Sequence, residues 1–164
     1  MVETVFVSGT PGASSENNYY HAKDLAFKKN PGRGGGWRSA YNDPPYYIWY
    51  DFERPLRPAK ISYLPYGPYG NNQWTNYGLQ PFQFIGTDDP VCAKNSNWTV
   101  LCEGESSISY NQRRRSDERG CTVATKSYKG KFHCLGLRFL VPKNEKANNF
   151  VSLRGIRIWE MQSL

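Results

Sequence analysis

Between Pro65 and Gly78 the chain reads PYGPYGNNQWTNYG, with Tyr66, Tyr69, Trp74 and Tyr77 set among glycine, proline and asparagine. Nothing in this stretch has a hydrophobic period, so its rings are placed to be partly exposed. Aromatic faces stack on the C–H faces of sugars, and the same rings suit a membrane interface. Asn71, Asn72, Gln73 and Asn76 bring amide donors and acceptors in pairs, which match hydroxyl groups. The competing reading folds Trp74 and Tyr77 back over the end of the core.

A second chemical group is basic. Arg113, Arg114 and Arg115 run together, with Arg119 close behind. Guanidinium forks hold sulfate, phosphate or carboxylate through two parallel hydrogen bonds. Asp117 and Glu118 lie beside them, so a solvated, locally neutralised loop is the alternative. A third group is Tyr19, Tyr20 and His21. The imidazole can donate to a sugar hydroxyl, or it can serve the local structure alone.

Catalytic constellations are scarce by comparison. The chain has two histidines, His21 and His133, and lacks a GxSxG elbow, an HExxH helix or a phosphate loop. Its adjacent acids, Asp88-Asp89 and Asp117-Glu118, fall in turns and do not flank a common substrate as a glycosidase pair must. The expectation is therefore a protein that is not an enzyme. The four cysteines, Cys92, Cys102, Cys121 and Cys134, include no CxxC pair, which argues against zinc. They allow three pairings, of which the local one, Cys92–Cys102 and Cys121–Cys134, would clip two hairpins; disulfides are favoured over four reduced core thiols. The sequon Asn97-Trp98-Thr99 fits a secreted surface loop.

The formal charge of +7 points to anionic partners such as sulfated glycans or acidic lipid head groups, or to solubility alone. Nucleic acid fits less well, because the basic residues are not gathered along one strand face. No run approaches the ~18 apolar residues of a membrane span. The start, MVETVFV, is too short and lacks the basic flank of a signal peptide. Either the protein is cytosolic or the chain is a mature domain with an added methionine.

The elements that must position these groups are strands. Across 164 residues there are 15 glycines, 11 prolines and 12 tyrosines, a mix that favours short strands and tight turns in a single domain over residues 1–164. Predicted strands cover Thr4–Ser8, Ile48–Phe52 (ended by Pro55 and Pro58), Ile61–Leu64, Leu79–Ile85, Trp98–Leu101, Ser107–Tyr110, Val123–Ser127, His133–Val141 and Phe150–Met161. In the last, Leu153, Ile156 and Ile158 point inward. Pro11–Asn18 is expected as a polar loop, His21–Lys28 as one helical turn, and Asn30–Gly36 as an obligate turn. Trp37, Trp49, Trp98 and Trp159 are assigned to the core or its lid. Arg38, Arg138 and Arg154 are expected to pair with acids such as Asp51, or with carbonyls. Dense strands without crossover helices predict an all-β, antiparallel β-sandwich of the jelly-roll type.

Several of these segments, taken in order, resemble a discoidin domain, the coagulation factor five/eight type C domain of the galactose-binding-like class. Ala22-Lys23-Asp24-Leu25 resembles that family's aspartate-bearing turn, and Gly36-Trp37-Arg38-Ser39 its tryptophan-serine turn. Asn42-Asp43-Pro44 leading into Ile48-Trp49-Tyr50-Asp51-Phe52 is similar to its tryptophan-x-x-aspartate strand, and Pro58–Ile61 to the strand that follows. Phe82–Ile85 with Trp98, Gly136–Phe139 and Val151–Glu160 resemble later strands. The terminal cysteine pair of many members is missing, and the histidine and spaced arginines of the fucose-binding branch have no counterpart. The resemblance implies a recognition module whose ligand meets loops at one barrel end: Gly12–Tyr20, Tyr66–Tyr77 and Asn111–Arg119, with Lys143–Asn149 beside them. It also implies that Asp24 stands where some members hold a structural calcium, a cation that needs six to eight oxygens. Glycan binding at a cell surface or matrix is the leading expectation, strengthened by avidity in a homo-oligomer. Anionic phospholipid binding and an intracellular protein-interaction role are the alternatives.

Overall fold

A computed structural model describes residues 2–6, 9–16, 21–24, 37–40, 45–65, 82–104, 119–123, 131–140 and 152–162. Among the described residues, ten strands run in chain order: β1 (Val2–Phe6), β2 (Thr10–Ala13), β3 (Trp37–Arg38), β4 (Tyr46–Leu56), β5 (Pro58–Pro65), β6 (Phe82–Thr87), β7 (Thr99–Gly104), β8 (Arg119–Thr122), β9 (Phe132–Phe139) and β10 (Ser152–Gln162). One 3-10 turn covers Ala22–Asp24. Two five-stranded sheets result. One has the order β1-β10-β5-β8 with β3 also on β10, and the other β2-β4-β9-β6-β7. Every described pair is antiparallel. The antiparallel sandwich expected from the sequence is what the chain adopts.

The core between the sheets is aromatic. Trp37, Tyr46, Tyr63, Phe82, Phe84 and Phe139 are the largest of its fully buried side chains. Strand β4 shows how the sequence serves two faces at once. Ile48 and Tyr50 point into the core between the sheets, while Tyr47 and Trp49 join Ile85 and Cys134 on the far side of their sheet. A strand covered on both faces reads as a continuous apolar run, and YYIWY is one. The cover on the far face is the excursion between β6 and β7, where Trp98 packs 6.0 Å from Trp49 and 6.3 Å from Tyr47. Trp98 is thus a lid, as assigned. Trp37 is core, and Trp159 is only partly buried beneath the Lys60 ammonium, 4.8 Å from its ring.

Leu153, Ile156 and Ile158 are all buried, although strict alternation cannot send residues three apart to one side. The ladder between β10 and β5 shifts register between Leu153 and Gly155. A bulge there resets the alternation.

Several sequence expectations need correction. Pro11 and Gly12 lie in strand β2, not in a loop. That strand is the outer member of its sheet, where a proline's missing N–H leaves no ladder bond unmade. Pro55 does not end β4, and Pro58 opens β5. Between them the ladder with β9 jumps from Asp51↔Cys134 to Leu56↔Phe132, and Glu53 takes a positive φ of 59°. A strand lies at Arg119–Thr122, ahead of the expected Val123–Ser127, where it pairs with Lys60–Tyr63 of β5; Val123 falls just past it and 124–127 lie outside the described residues. Of the three cysteine pairings left open, the chain adopts a non-local one. The bridges are Cys92–Cys134 and Cys102–Cys121, both non-local, not Cys92–Cys102 and Cys121–Cys134. Cys102 is on β7 and Cys121 on β8, so the second bridge ties the edge of one sheet to the edge of the other. Hairpin reasoning misses this because β7 and β8 follow each other in sequence but belong to different sheets. Ser107–Tyr110 and Asn30–Gly36 lie outside the described residues.

Candidate functional site

The strand ends define where a ligand could meet loops. Tyr63 near the end of β5, Phe82 at the start of β6 and Phe139 at the end of β9 form one cluster. Tyr63 meets Phe82 edge-on at 5.0 Å and Phe139 edge-on at 5.4 Å. Phe82 also pairs with Gly104 at the end of β7. Arg119, which opens β8, pairs with Tyr63, and Leu153 near the start of β10 pairs with Pro65. Strand ends from both sheets therefore gather at one end of the sandwich around a ring cluster. They carry the connections 66–81, 105–118 and 141–151, which hold three of the four predicted binding segments. Such a framework is rigid, because T-shaped ring pairs contribute about 0.5–1.5 kcal/mol each beyond their burial.

The fourth segment is braced at the same end. Ser14 exchanges bonds with Tyr47: its N–H donates to the Tyr47 carbonyl at 3.0 Å, and its hydroxyl accepts from the Tyr47 N–H at 3.0 Å. The Ser15 carbonyl accepts from the Trp37 indole N–H at 2.9 Å, and the Ser15 hydroxyl from the Ala40 N–H at 3.1 Å. Glu16 then closes the segment. One carboxylate oxygen accepts the Ala22 N–H at 2.9 Å, and the other meets His21 Nδ1 at 3.0 Å. Burial pushes the Glu16 carboxyl up, but the His21 and Ala22 bonds, with the charges of His21 and Lys23, outweigh it and hold its pKa below the ordinary value. His21 is thus a brace for the 3-10 turn, half-exposed at 37% of its side chain.

His21 is the one predicted contact residue whose side chain the structure describes. Tyr19, Tyr20, Tyr69, Asn71, Asn72, Trp74, Tyr77, Arg113, Arg114 and Arg115 lie outside the described residues. Asp24, the calcium candidate, is placed by its backbone in the 3-10 turn, and its side chain lies outside the description.

On the outer face of the second sheet the polar groups are committed to one another. Arg138 Nε donates to Gln83 Oε1 at 2.7 Å, and Gln83 Nε2 to Glu103 Oε1 at 2.7 Å. The Arg138 guanidinium stands 5.7 Å from the centre of the Tyr47 ring. Arg138 therefore pairs with an amide and a ring, not with Asp51. The Asp51 carboxylate instead accepts the Glu53 N–H at 2.9 Å and faces His133 Nδ1 at 3.2 Å.

Here the structure assembles something sequence reading missed. His133 Nε2 donates to the Asp89 carbonyl, and the Cys92–Cys134 bridge lies beside the same ring. A carbonyl only accepts and so does the Asp51 carboxylate, so both ring nitrogens face acceptors, an environment that favours the imidazolium form. Burial pushes its pKa down, but the bonds to Asp51 and Asp89 and the charges of Asp51 and Asp88 outweigh this and raise it. The sequence signal was slight: His133 and Cys134 adjoin, but Asp51 and Cys92 lie far away along the chain.

No family model and no curated protein matches the chain. Solved structures do. A family 32 carbohydrate-binding module from a family 31 glycoside hydrolase of Clostridium perfringens superposes with a TM-score of 0.70 at 16% identity, covering 96% of this chain and 95% of that one. The family 32 module of C. perfringens NanJ, determined with galactose, gives 0.66 at 14% identity over 97% and 100%. The lectin domain of lectinolysin, determined with Lewis B antigen, gives 0.62 at 11% identity over 94% of each chain. The fold is a galactose-binding-like, discoidin-type jelly roll, as the sequence resemblance implies.

Proposed function

We propose that this chain is a non-enzymatic recognition module that binds carbohydrate through the loops at one end of its sandwich. The observation that carries the reading is the convergence of strand ends on the Tyr63–Phe82–Phe139 cluster, from which the aromatic and amide-rich segment 66–81 and the arginine-rich segment 105–118 both depart. Rings and amides on a rigid base suit sugar faces and hydroxyls. The overall likeness to carbohydrate-binding and lectin domains supports it. The proposed ligand contacts are Tyr69, Asn71, Asn72, Trp74 and Tyr77 of segment 66–81, Arg113, Arg114 and Arg115 of segment 105–118, and Tyr19, Tyr20 and His21 of the segment that follows β2. Two disulfides favour a secreted or cell-surface setting, where such bonds persist. Adhesion to surface or matrix glycans, with affinity multiplied by self-association or neighbouring domains, follows from the modest strength of one sugar site.

A glycan array run with and without calcium tests this. Discrete glycan hits support the lectin reading, and hits that vanish without calcium add a cation role for Asp24. An array without hits, together with salt-sensitive sedimentation on acidic liposomes, would replace it with the anionic-lipid reading that the +7 charge favours.

A further inference from the structure

Away from the ligand rim, four donor atoms converge. They are Asp51 Oδ1 on β4, His133 Nδ1 and Cys134 Sγ on β9, and Cys92 Sγ in the β6–β7 excursion, and all lie within 4.8 Å of one another. A regular strand sends neighbouring side chains to opposite faces. Yet His133 Nδ1 and Cys134 Sγ are 3.7 Å apart, beside the register shift that separates Asp51 from Leu56. Cys92 Sγ is 3.9 Å from the same nitrogen, and Asp51 Oδ1 is 3.2 Å from it. In a tetrahedral zinc site the usual bond lengths place sulfur about 3.6 Å from nitrogen and nitrogen about 3.3 Å from oxygen. These three spacings fall within a few tenths of an ångström of those values, while the two sulfurs, bonded to each other in the disulfide, would part to about 3.8 Å on reduction and metal entry.

We propose that the Cys92–Cys134 disulfide is the oxidised form of a metal site. Once it is reduced, the two sulfurs join His133 Nδ1 and Asp51 to hold one borderline-soft divalent cation of the zinc class. A dithiol reductant supplies two electrons and two protons and becomes a disulfide itself. The Cys92–Cys134 bond breaks to give two thiols. Metal entry then releases three protons, one from each thiol and one from His133 Nδ1, while the metal keeps its oxidation state. The Nε2 proton stays on the ring, donated to the Asp89 carbonyl.

The outer contacts suit this role. A metal-binding histidine characteristically donates its other N–H to a carbonyl or carboxylate, which fixes the ring and its tautomer. His133 has that bond already, and the Glu53 N–H holds the Asp51 carboxylate. Two thiolates, an imidazole and a carboxylate form a set that favours zinc over calcium or magnesium. The site is enclosed without being sealed: Cys134 is fully buried, while the His133 and Asp51 side chains are 18% and 32% exposed.

The test is a cobalt(II) titration of the whole chain, oxidised and after treatment with a phosphine reductant, with zinc as competitor. The reduced protein should take up one equivalent, with thiolate-to-cobalt charge-transfer absorption and the visible bands of a tetrahedral site, and zinc should bleach both. The oxidised protein should show neither. His133→Ala and Asp51→Asn should each weaken binding more than tenfold. Cys102→Ser/Cys121→Ser should keep the site. If reduction loosens the fold, zinc should restore the far-ultraviolet dichroism of the native chain. The proposal is overturned if the reduced protein takes up no cobalt, if Cys92→Ser/Cys134→Ser binds as tightly, or if zinc fails to restore a fold lost on reduction.

Discussion

Single residues in this protein are constrained by contacts that lie far away in sequence. A Cβ added at Gly12 would sit 2.4 Å from Trp49 Nε1, with two further indole carbons inside 3.0 Å. The indole cannot swing freely, since Trp98 packs against it. Gly12→Ala should therefore lower unfolding stability by about 1–3 kcal/mol in a urea titration. Glu53 presents the opposite case. Its φ of 59° is one that side chains with a Cβ resist, and it is exposed with nothing to lose by truncation. Glu53→Gly should raise stability by about 0.5–1 kcal/mol in the same assay, net of the greater freedom glycine has when unfolded. Glu16 carries a pH signature. Its folded pKa lies below the unfolded one, so its stabilising share is complete above the ordinary value of 4.5 and fades as pH falls through the folded pKa. Melting curves of wild type and Glu16→Gln should be separated at pH 6 and converge toward pH 3. None of these constraints is readable locally. Gly12 looks like loop glycine until Trp49 is placed across the ladder from it.

Strands were the most legible elements, and the misses share a physical cause. The YYIWY run announced a buried strand because each side chain, inward or outward, finds apolar cover. Prolines misled where their sheet position was unknown. Pro11 sits on an edge strand and Pro58 is the first residue of the inner strand β5, both places where a missing N–H costs little. Cysteine pairing could not be read at all, since a bridge depends on which strands end up adjacent in space. Cys102 and Cys121 are 19 residues apart and join the outer strands of two different sheets. On chain-entropy grounds a loop of that length is worth about 3 kcal/mol. Cys102→Ser/Cys121→Ser should lose about that much in denaturant. The loss should come with faster opening of β7 and β8 in amide exchange than of β4 and β9, because the latter pair lies inside its sheet.

At the scale of the whole molecule, the sandwich separates holding the fold from meeting a partner. Trp37, Tyr46, Tyr63, Phe82 and Phe139, from β3, β4, β5, β6 and β9, are fully buried and help to close the rim end. The sequence could show the rings and amides of residues 66–77 but not this closure, because the cluster draws on β5, β6 and β9 at once. The closure bears on the two readings of Trp74. An indole that covers the barrel end would be a core residue, and Trp74→Ala would then cost about 3–5 kcal/mol. An indole that serves a ligand contributes little to folding. The expected result is the second: Trp74→Ala should melt within a few degrees of wild type and lose glycan retention at least tenfold. Arg113→Ala, Arg114→Ala and Arg115→Ala combined should also leave the melting point in place. If the ligand is sulfated or acidic, that triple variant should flatten the salt dependence of binding, since guanidinium pairs with anions at an exposed rim weaken as salt screens them. A melting point that collapses with Trp74→Ala would move the indole into the core and leave the binding face to the arginines and tyrosines alone.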